Sequence, residues 1–288
     1  MLKIGFIGTG VMGQSLVRHL LRNKYQIFVY NRTKAKALPL IAEGAVWLDN
    51  PKMVAENCNV IMTMLGYPKD VEDIYFNDTY GLLNCAKKQT LLIDLTTSTP
   101  SLAYKIAQVA KEKGLMAIDA PVSGGDNGAK NGTLAIMCGG DIDAYDLALP
   151  YLKCFSDNVL LQGKAGSGQH TKMCNQIAIA STIMGVCEAI KYARSANLNV
   201  DKVLASISKG AAGSWQLTNN GQKMIDNDYQ PGFYIKHFIK DMKIAIDEAK
   251  LMKIDLPGLA LAEKLYEEVA ANGNENLGSQ ALIYWYNN

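Results

Sequence analysis

KIGFIGTGVMGQSLVRHLL, residues 3–21, sets three elements in a fixed order. Lys3–Ile7 is a short apolar run suited to a buried strand. GTGVMG follows from Gly8 to Gly13, and Leu16, Val17, Leu20 and Leu21 then recur at helical spacing. A strand, a glycine turn and a helix in that order give GxGxxG the context of a dinucleotide fingerprint. Gly8 permits the turn, Gly10 lets the backbone approach a pyrophosphate, and Gly13 lets helix and strand pack closely. The helix N-terminus then presents N–H groups without intrahelical partners to the phosphates.

A second strand over Gln26–Tyr30 ends in Asn31-Arg32-Thr33-Lys34. An NAD site usually places a carboxylate here to hold both ribose hydroxyls, and that carboxylate would repel a 2′-phosphate. Asn31, Arg32 and Thr33 offer instead an amide, a guanidinium and a hydroxyl, a set suited to phosphate oxygens. NADP is therefore expected in preference to NAD.

Strand-like runs recur at 60–65, 91–95 and 116–120, with helical stretches such as 101–113 between them. This alternation predicts an α/β domain, a doubly wound parallel sheet of Rossmann type with helices on both faces. Ligands of such sheets lie beyond the carboxyl ends of the strands, which places Leu65-Gly66, Thr96-Thr97 and 121–125 at the site. In DAPVSGGDNGAKNGTL, residues 119–134, Ser123, Gly124 and Gly125 read as an open loop whose hydroxyl and backbone N–H groups can grip a carboxylate. Runs at 134–138 and 159–161, around a helix at 144–152, extend the sheet.

From Gly166 onward strand signals cease. GSGQHTKMCNQIAIASTIMGVCEAIKYAR, residues 166–194, contains no proline and reads as one helix of roughly 40 Å, apolar on most sides. Lys172 and Asn175 stand near its start, three residues apart and so on one face. Taken alone, Lys172 reads as a solvated helix lysine. Helices are expected at 200–208, 214–224, 235–252, 258–272 and 277–286, which divides the chain into a nucleotide-binding domain (1–163) and an all-helical substrate and dimerisation domain (164–288). Lys240 and Asp241 stand at the head of the third of these helices, and Trp215 reads as a core or interface aromatic before a substrate wall.

The bulk numbers exclude several classes. The 288 residues carry a net charge of +2 from 29 basic and 27 acidic side chains, without like-charge blocks, so no nucleic acid or membrane partner is expected. Six cysteines lie scattered without CxxC spacing, which fits reduced thiols in a cytoplasmic protein. Three separated histidines support no metal site. Glycines 5, 8, 10 and 13 interrupt the N-terminal apolar run, and Gln14, Arg18 and His19 stand where a signal sequence would stay apolar, so no export signal is read. No uninterrupted apolar run reaches about 18 residues, so no membrane span is expected.

GTGVMG, DAPVSGG with GAKNGTL, GSGQHTKMCN and KDMKIA stand in the order and spacing of the β-hydroxyacid dehydrogenases, and the chain resembles that family over nearly its whole length. The family includes 3-hydroxyisobutyrate dehydrogenase, tartronate semialdehyde reductase and the short glyoxylate and succinic semialdehyde reductases. The resemblance implies Lys172 as the catalytic acid and base, and Ser123, Gly124, Gly125 and Asn175 as contacts of a small carboxylate substrate. It implies Gly8, Gly10, Val11, Met12, Gly13, Leu65, Gly66, Thr96 and Lys240 as cofactor contacts, beside Asn31, Arg32 and Thr33 at the second strand end. The expected reaction moves hydride between NADP and a short 3-hydroxy acid or its semialdehyde. Gln176 stands where many members carry a second asparagine, and Gly66 where proline is usual.

Imine reductases share this architecture but typically lack the lysine, phosphogluconate dehydrogenases have a larger helical domain, and a dinucleotide-binding protein without catalysis is the reading outside enzymes. The apolar long helix and the aromatic tail Tyr284, Trp285, Tyr286 point to a homodimer or homotetramer.

Overall fold

The computed structural model describes residues 2–287. The chain packs as two units, Met1–Lys172 and Met173–Asn288. The division falls inside the long helix, Ser167–Ser195, rather than ahead of it where the composition changes.

The first unit is built on one sheet. Its strands are β1 (Lys3–Ile7), β2 (Gln26–Tyr30), β3 (Val46–Trp47), β4 (Val60–Thr63), β5 (Leu91–Asp94), β6 (Met116–Asp119), β7 (Val122–Ser123), β8 (Leu134–Gly140) and β9 (Ser156–Gly163). The order is β3-β2-β1-β4-β5-β6-β8-β7, with β9 on β8. From β3 to β6 every pairing is parallel. All side chains of β4 and β5 are buried, as expected where helices cover both faces.

Alternation with period two separates two cores. Ile4, Phe6, Val60, Met62, Leu91 and Ile93 pack on one face, with Leu16, Val17 and Leu20 of the helix Val11–Arg22. Ile7, Ile61 and Leu92 turn to the other face, against Val54, Val71 and Ile106. Burial on both faces leaves the strand ends as the places where polar side chains can gather.

The sheet is parallel-dominant as expected, with β8 running antiparallel to both β6 and β7. Ten residues separate β7 from β8, too few for a parallel crossover, whereas the helix Ile142–Leu152 carries the chain back so that β9 is parallel to β8. The stretch 119–134 is not an open loop: Val122-Ser123 is a strand, and Gly125–Asn131 is a helix that Gly124, at φ +134°, turns into.

The second unit is helical. Ala180, Ile183, Cys187 and Ile190 of the long helix pack with Phe238 and Met242 of Ile235–Leu251 and with Leu259, Ala262 and Tyr266 of Pro257–Val269. By length and composition alone Ser167–Ser195 could cross a bilayer, since its 18-residue window has a mean hydropathy of 1.3; here 44 % of that window is buried inside the protein. The expected helix at 214–224 is a π-turn, Gln216–Asn220, running into a short α-helix, Gly221–Ile225. Trp215 is 59 % exposed and so is not a core residue.

Candidate active site

The carboxyl ends of β1, β2, β4, β5 and β6 line one edge of the first unit, and most residues singled out in the sequence sit there. In the glycine turn, a Cβ on Gly8 would strike the Met64 carbonyl and one on Gly13 the Gly8 carbonyl. A Cβ on Gly10 would meet nothing within 4 Å. The open space thus lies at Gly10, the N-cap of Val11–Arg22, and no side chain caps that helix end. An uncapped helix start with clear space before it fits a pyrophosphate, so the residues present suit an NAD(P) cofactor.

Asn31 has a duty inside the protein. Its Oδ1 accepts from Thr9 N at 3.0 Å and its Nδ2 donates to Thr33 O at 2.9 Å, so it braces the glycine turn against the end of β2. Arg32 beside it is 89 % exposed, with only a loose 3.7 Å approach to Asp70. A pair so exposed contributes little, and the guanidinium can turn to a phosphate.

Leu65 and Thr96 meet directly: Leu65 N donates to Thr96 Oγ1 at 2.9 Å. Thr96 N donates to Asp94 Oδ1 at 3.1 Å, and the same oxygen accepts from Thr63 Oγ1 at 2.8 Å. Bonds thereby join the ends of β4 and β5, next to Gly66.

Lys172 is not solvated. It is 6 % exposed, and its Nζ donates to the Val122 carbonyl at 2.8 Å, adjoining Ser123 and the Gly124-Gly125 turn. A buried ammonium needs strong acceptors, which makes this lysine unlike the charges of a water-facing helix. Asn175 follows one turn later on the same helix, in the second unit. There Asn175 Nδ2 donates to Gln176 Oε1 at 2.6 Å, Gln176 Nε2 donates to Asp241 Oδ2 at 2.6 Å, and Asp241 pairs with Lys240 at 3.0 Å. Asp241, 1 % exposed, is likewise no solvated charge, and Gln176 is a link of this chain rather than a spare amide.

The sequence reading missed Asp119. Its Oδ1 accepts from Gly166 N at 2.7 Å and its Oδ2 from Gln169 N at 2.9 Å, so a carboxylate at the end of β6 holds the start of the long helix. A Cβ on Gly139 would lie 2.6 Å from Asp119 Oδ1, and one on Gly168 would lie 2.7 Å from Oδ2 and strike the Met137 carbonyl. Gly168 is therefore glycine to admit this carboxylate, and Gly166, facing the Pro100 carbonyl, to pack the helix start. The available signal was an acid ending the apolar strand MAID, since a buried carboxylate requires donors.

Burial pushes the Asp119 carboxyl up to about 6, against the lowering effect of the Gly166 and Gln169 N–H groups, and the nearby Asp94 charge adds to the rise. The folded state therefore binds a proton more tightly than the unfolded chain. This contribution to stability is complete below about pH 4 and is lost as pH rises through about 6. Denaturant melts of the protein and its Asp119→Asn variant check this: the wild-type advantage should shrink between pH 4 and 6 and stay level above 7. An advantage that grows over that range contradicts it. Loss of one acceptor should leave the variant less stable by about 1–3 kcal/mol.

Residues 3–163 match the family described as the NAD binding domain of 6-phosphogluconate dehydrogenase. Residues 166–286 match the one described as NAD-binding of NADP-dependent 3-hydroxyisobutyrate dehydrogenase. A Bacillus subtilis (strain 168) protein described as an uncharacterized oxidoreductase, YkwC, is 53 % identical over 279 residues, covering 97 % of this chain and 96 % of that one. An Arabidopsis thaliana protein described as a probable mitochondrial 3-hydroxyisobutyrate dehydrogenase-like 1 is 46 % identical, over 98 % of this chain and 84 % of its own. Among solved structures, Mycobacterium tuberculosis 3-hydroxyisobutyrate dehydrogenase with L-serine superposes with a TM-score of 0.90 at 27 % identity, covering 99 % of this chain and 98 % of that one.

Proposed function

The chain belongs to the 3-hydroxyisobutyrate dehydrogenase family of NAD(P)-dependent oxidoreductases, and from that premise we propose that it interconverts a short 3-hydroxy acid and its semialdehyde with Lys172 as proton carrier. The observation that carries the proposal is the burial of Lys172 with its Nζ held 2.8 Å from Val122 O, one residue from Ser123. L-Serine, named with the mycobacterial structure, is itself a 3-hydroxy acid, which supports this substrate class.

The glycine turn and Arg32 would hold a dinucleotide whose nicotinamide would supply or accept the hydride. The protein's own groups do the rest. In reduction an N–H of Lys172 gives its proton to the oxygen that becomes alkoxide, and in oxidation the amine takes it back. The bond to Val122 O orients Nζ. The Ser123 hydroxyl and the N–H groups of the Gly124-Gly125 turn grip the substrate carboxylate, which fixes the carbonyl carbon for attack.

Carboxylate recognition gives a direct test. A semialdehyde and the aldehyde of equal length without the acid group should differ by about a hundredfold or more in kcat/KM, since a charge-assisted grip amounts to roughly 1.5–3 kcal/mol and also aligns the carbonyl. Equal values for the two would remove Ser123 and its turn from substrate recognition.

NADP is proposed over NAD, on the exposed Arg32 and the lack of a carboxylate at the end of β2. Arg32→Ala should weaken NADPH binding by about tenfold or more and leave NADH nearly unchanged, as loss of a guanidinium–phosphate bond implies. Titration of both cofactors by fluorescence reads this, and equal losses would contradict it.

A homodimer or homotetramer is proposed as well. The aromatic tail supports this less than its composition suggests, because the Tyr284 ring packs at a tilt against Tyr229, centroids 4.5 Å apart, and Trp285 donates to Glu268. Support comes instead from Tyr192 and Leu251, each 75 % exposed on the second unit, and from Trp215. A 31.4 kDa species by light scattering at micromolar concentration would refute it.

A further inference from the structure

We infer that Gln169 is a positioning residue for the proposed reaction: it ties the helical turn that carries Lys172 to the loop after β5, so that proton donor and cofactor-side loop hold one register. The inference rests on the roles proposed for Lys172 and Thr96.

Gln169 is wholly buried, one helical turn before Lys172. Its Oε1 accepts from Ser98 N at 2.9 Å and its Nε2 donates to Thr96 O at 2.7 Å. Its own backbone N–H goes to Asp119 Oδ2 at 2.9 Å. One partner is a donor and the other an acceptor, so only one orientation of the amide satisfies both; the flipped form would set N–H against N–H and oxygen against oxygen. The side-chain type is therefore specified. Asparagine is too short, methionine has neither group, and an ionised glutamate lacks the donor.

Through Thr96 the tie extends to Leu65, and through Asp94 to Thr63. The ends of β4, β5 and β6 thus share one buried network with the helix start. Lys172, on the next turn, inherits its place from that network at one end and from Val122 O at the other. A proton carrier is sensitive to such placement, because a shift of about 1 Å can cost on the order of a hundredfold in rate.

Two variants and two readouts test the tie. Gln169→Met keeps the volume and removes both bonds. Its kcat should fall about tenfold to a hundredfold, with KM and the fluorescence-measured NADPH affinity each within about threefold of wild type. Gln169→Glu adds a signature that packing alone does not give. A protonated carboxyl can still donate to Thr96 O and accept from Ser98 N, whereas an ionised one opposes the Thr96 carbonyl and stands near the carboxylates of Asp119 and Asp94. Its kcat relative to wild type should fall as pH rises, while the ratio for Gln169→Met stays level. Unchanged kcat in a folded Gln169→Met protein, a loss confined to KM, or a level ratio for Gln169→Glu would overturn the inference.

Hydrogen exchange needs no turnover. In either variant at neutral pH, peptides covering 96–99 and 164–172 should both exchange faster, and peptides within 3–30 should not. Acceleration around 169 alone would overturn the tie. Should the wild type reduce no aldehyde, the hydride-transfer reading falls by itself and the exchange result alone decides whether the tie exists.

Discussion

Lys172→Ala is expected to lower kcat by at least about a hundredfold, within the roughly 10²–10⁴-fold range of positioned general acid catalysis. NADPH affinity should change little, because the glycine turn and Arg32 belong to other elements of the first unit. Lys172→Arg should rescue poorly: a guanidinium keeps its proton near neutral pH and does not fit an ammonium's place beside Val122 O. Removing a buried cation could also unsettle its surroundings, so the thermal midpoint should be recorded with the rate. A folded alanine variant keeping more than about a tenth of wild-type kcat with chemistry rate-limiting would return Lys172 to a structural role.

Gly168→Ala is the second large effect, and it falls on stability. The added methyl would lie against Met137 O and 2.7 Å from Asp119 Oδ2, both fixed by the sheet, so no flexible side chain can yield. Overpacking of this kind costs about 1–3 kcal/mol and more where backbone must move. A cost near 3 kcal/mol corresponds to a drop in Tm of roughly 6–12 °C in a domain of about this size. If Gly168 served ligand approach instead, stability would hold and cofactor or substrate affinity would fall. Thermal melts beside NADPH titration separate the two outcomes.

Much of the fold is legible in the sequence. β1 and β2 have the bounds read from the apolar runs, because a buried parallel strand shows as an unbroken apolar segment ended by turn residues. The long helix was equally plain from its length and its lack of proline. Helices such as Pro51–Asn57 and Pro68–Phe76 passed unread, since each is short and begins with the proline that elsewhere marks a turn. The two-residue strands β3 and β7 carry no periodicity at all.

At the site, the sequence marked groups able to meet a ligand and passed over those that meet each other. Gly8, Gly10, Gly13, Thr96, Ser123 and Lys172 announce themselves by residue type in a motif. Asp119 and Gln169 act on backbone groups 47 to 73 positions away, and no local pattern encodes such a partner. Gly166 and Gly168 likewise meet the Pro100 carbonyl and Asp119, and Gln176, a departure from the family pattern, joins Asn175 to Asp241 through its amide.

Hydride transfer to the carbonyl carbon of a short semialdehyde is tested most directly with NADPH carrying deuterium at the transferred C4 position. With wild-type protein and a panel of glyoxylate and the succinic, tartronate and methylmalonate semialdehydes, at least one should give a hydroxy acid with one deuterium on the carbinol carbon and none exchanged from solvent. Tight NADPH binding with no labelled hydroxy acid from any of the four would contradict it.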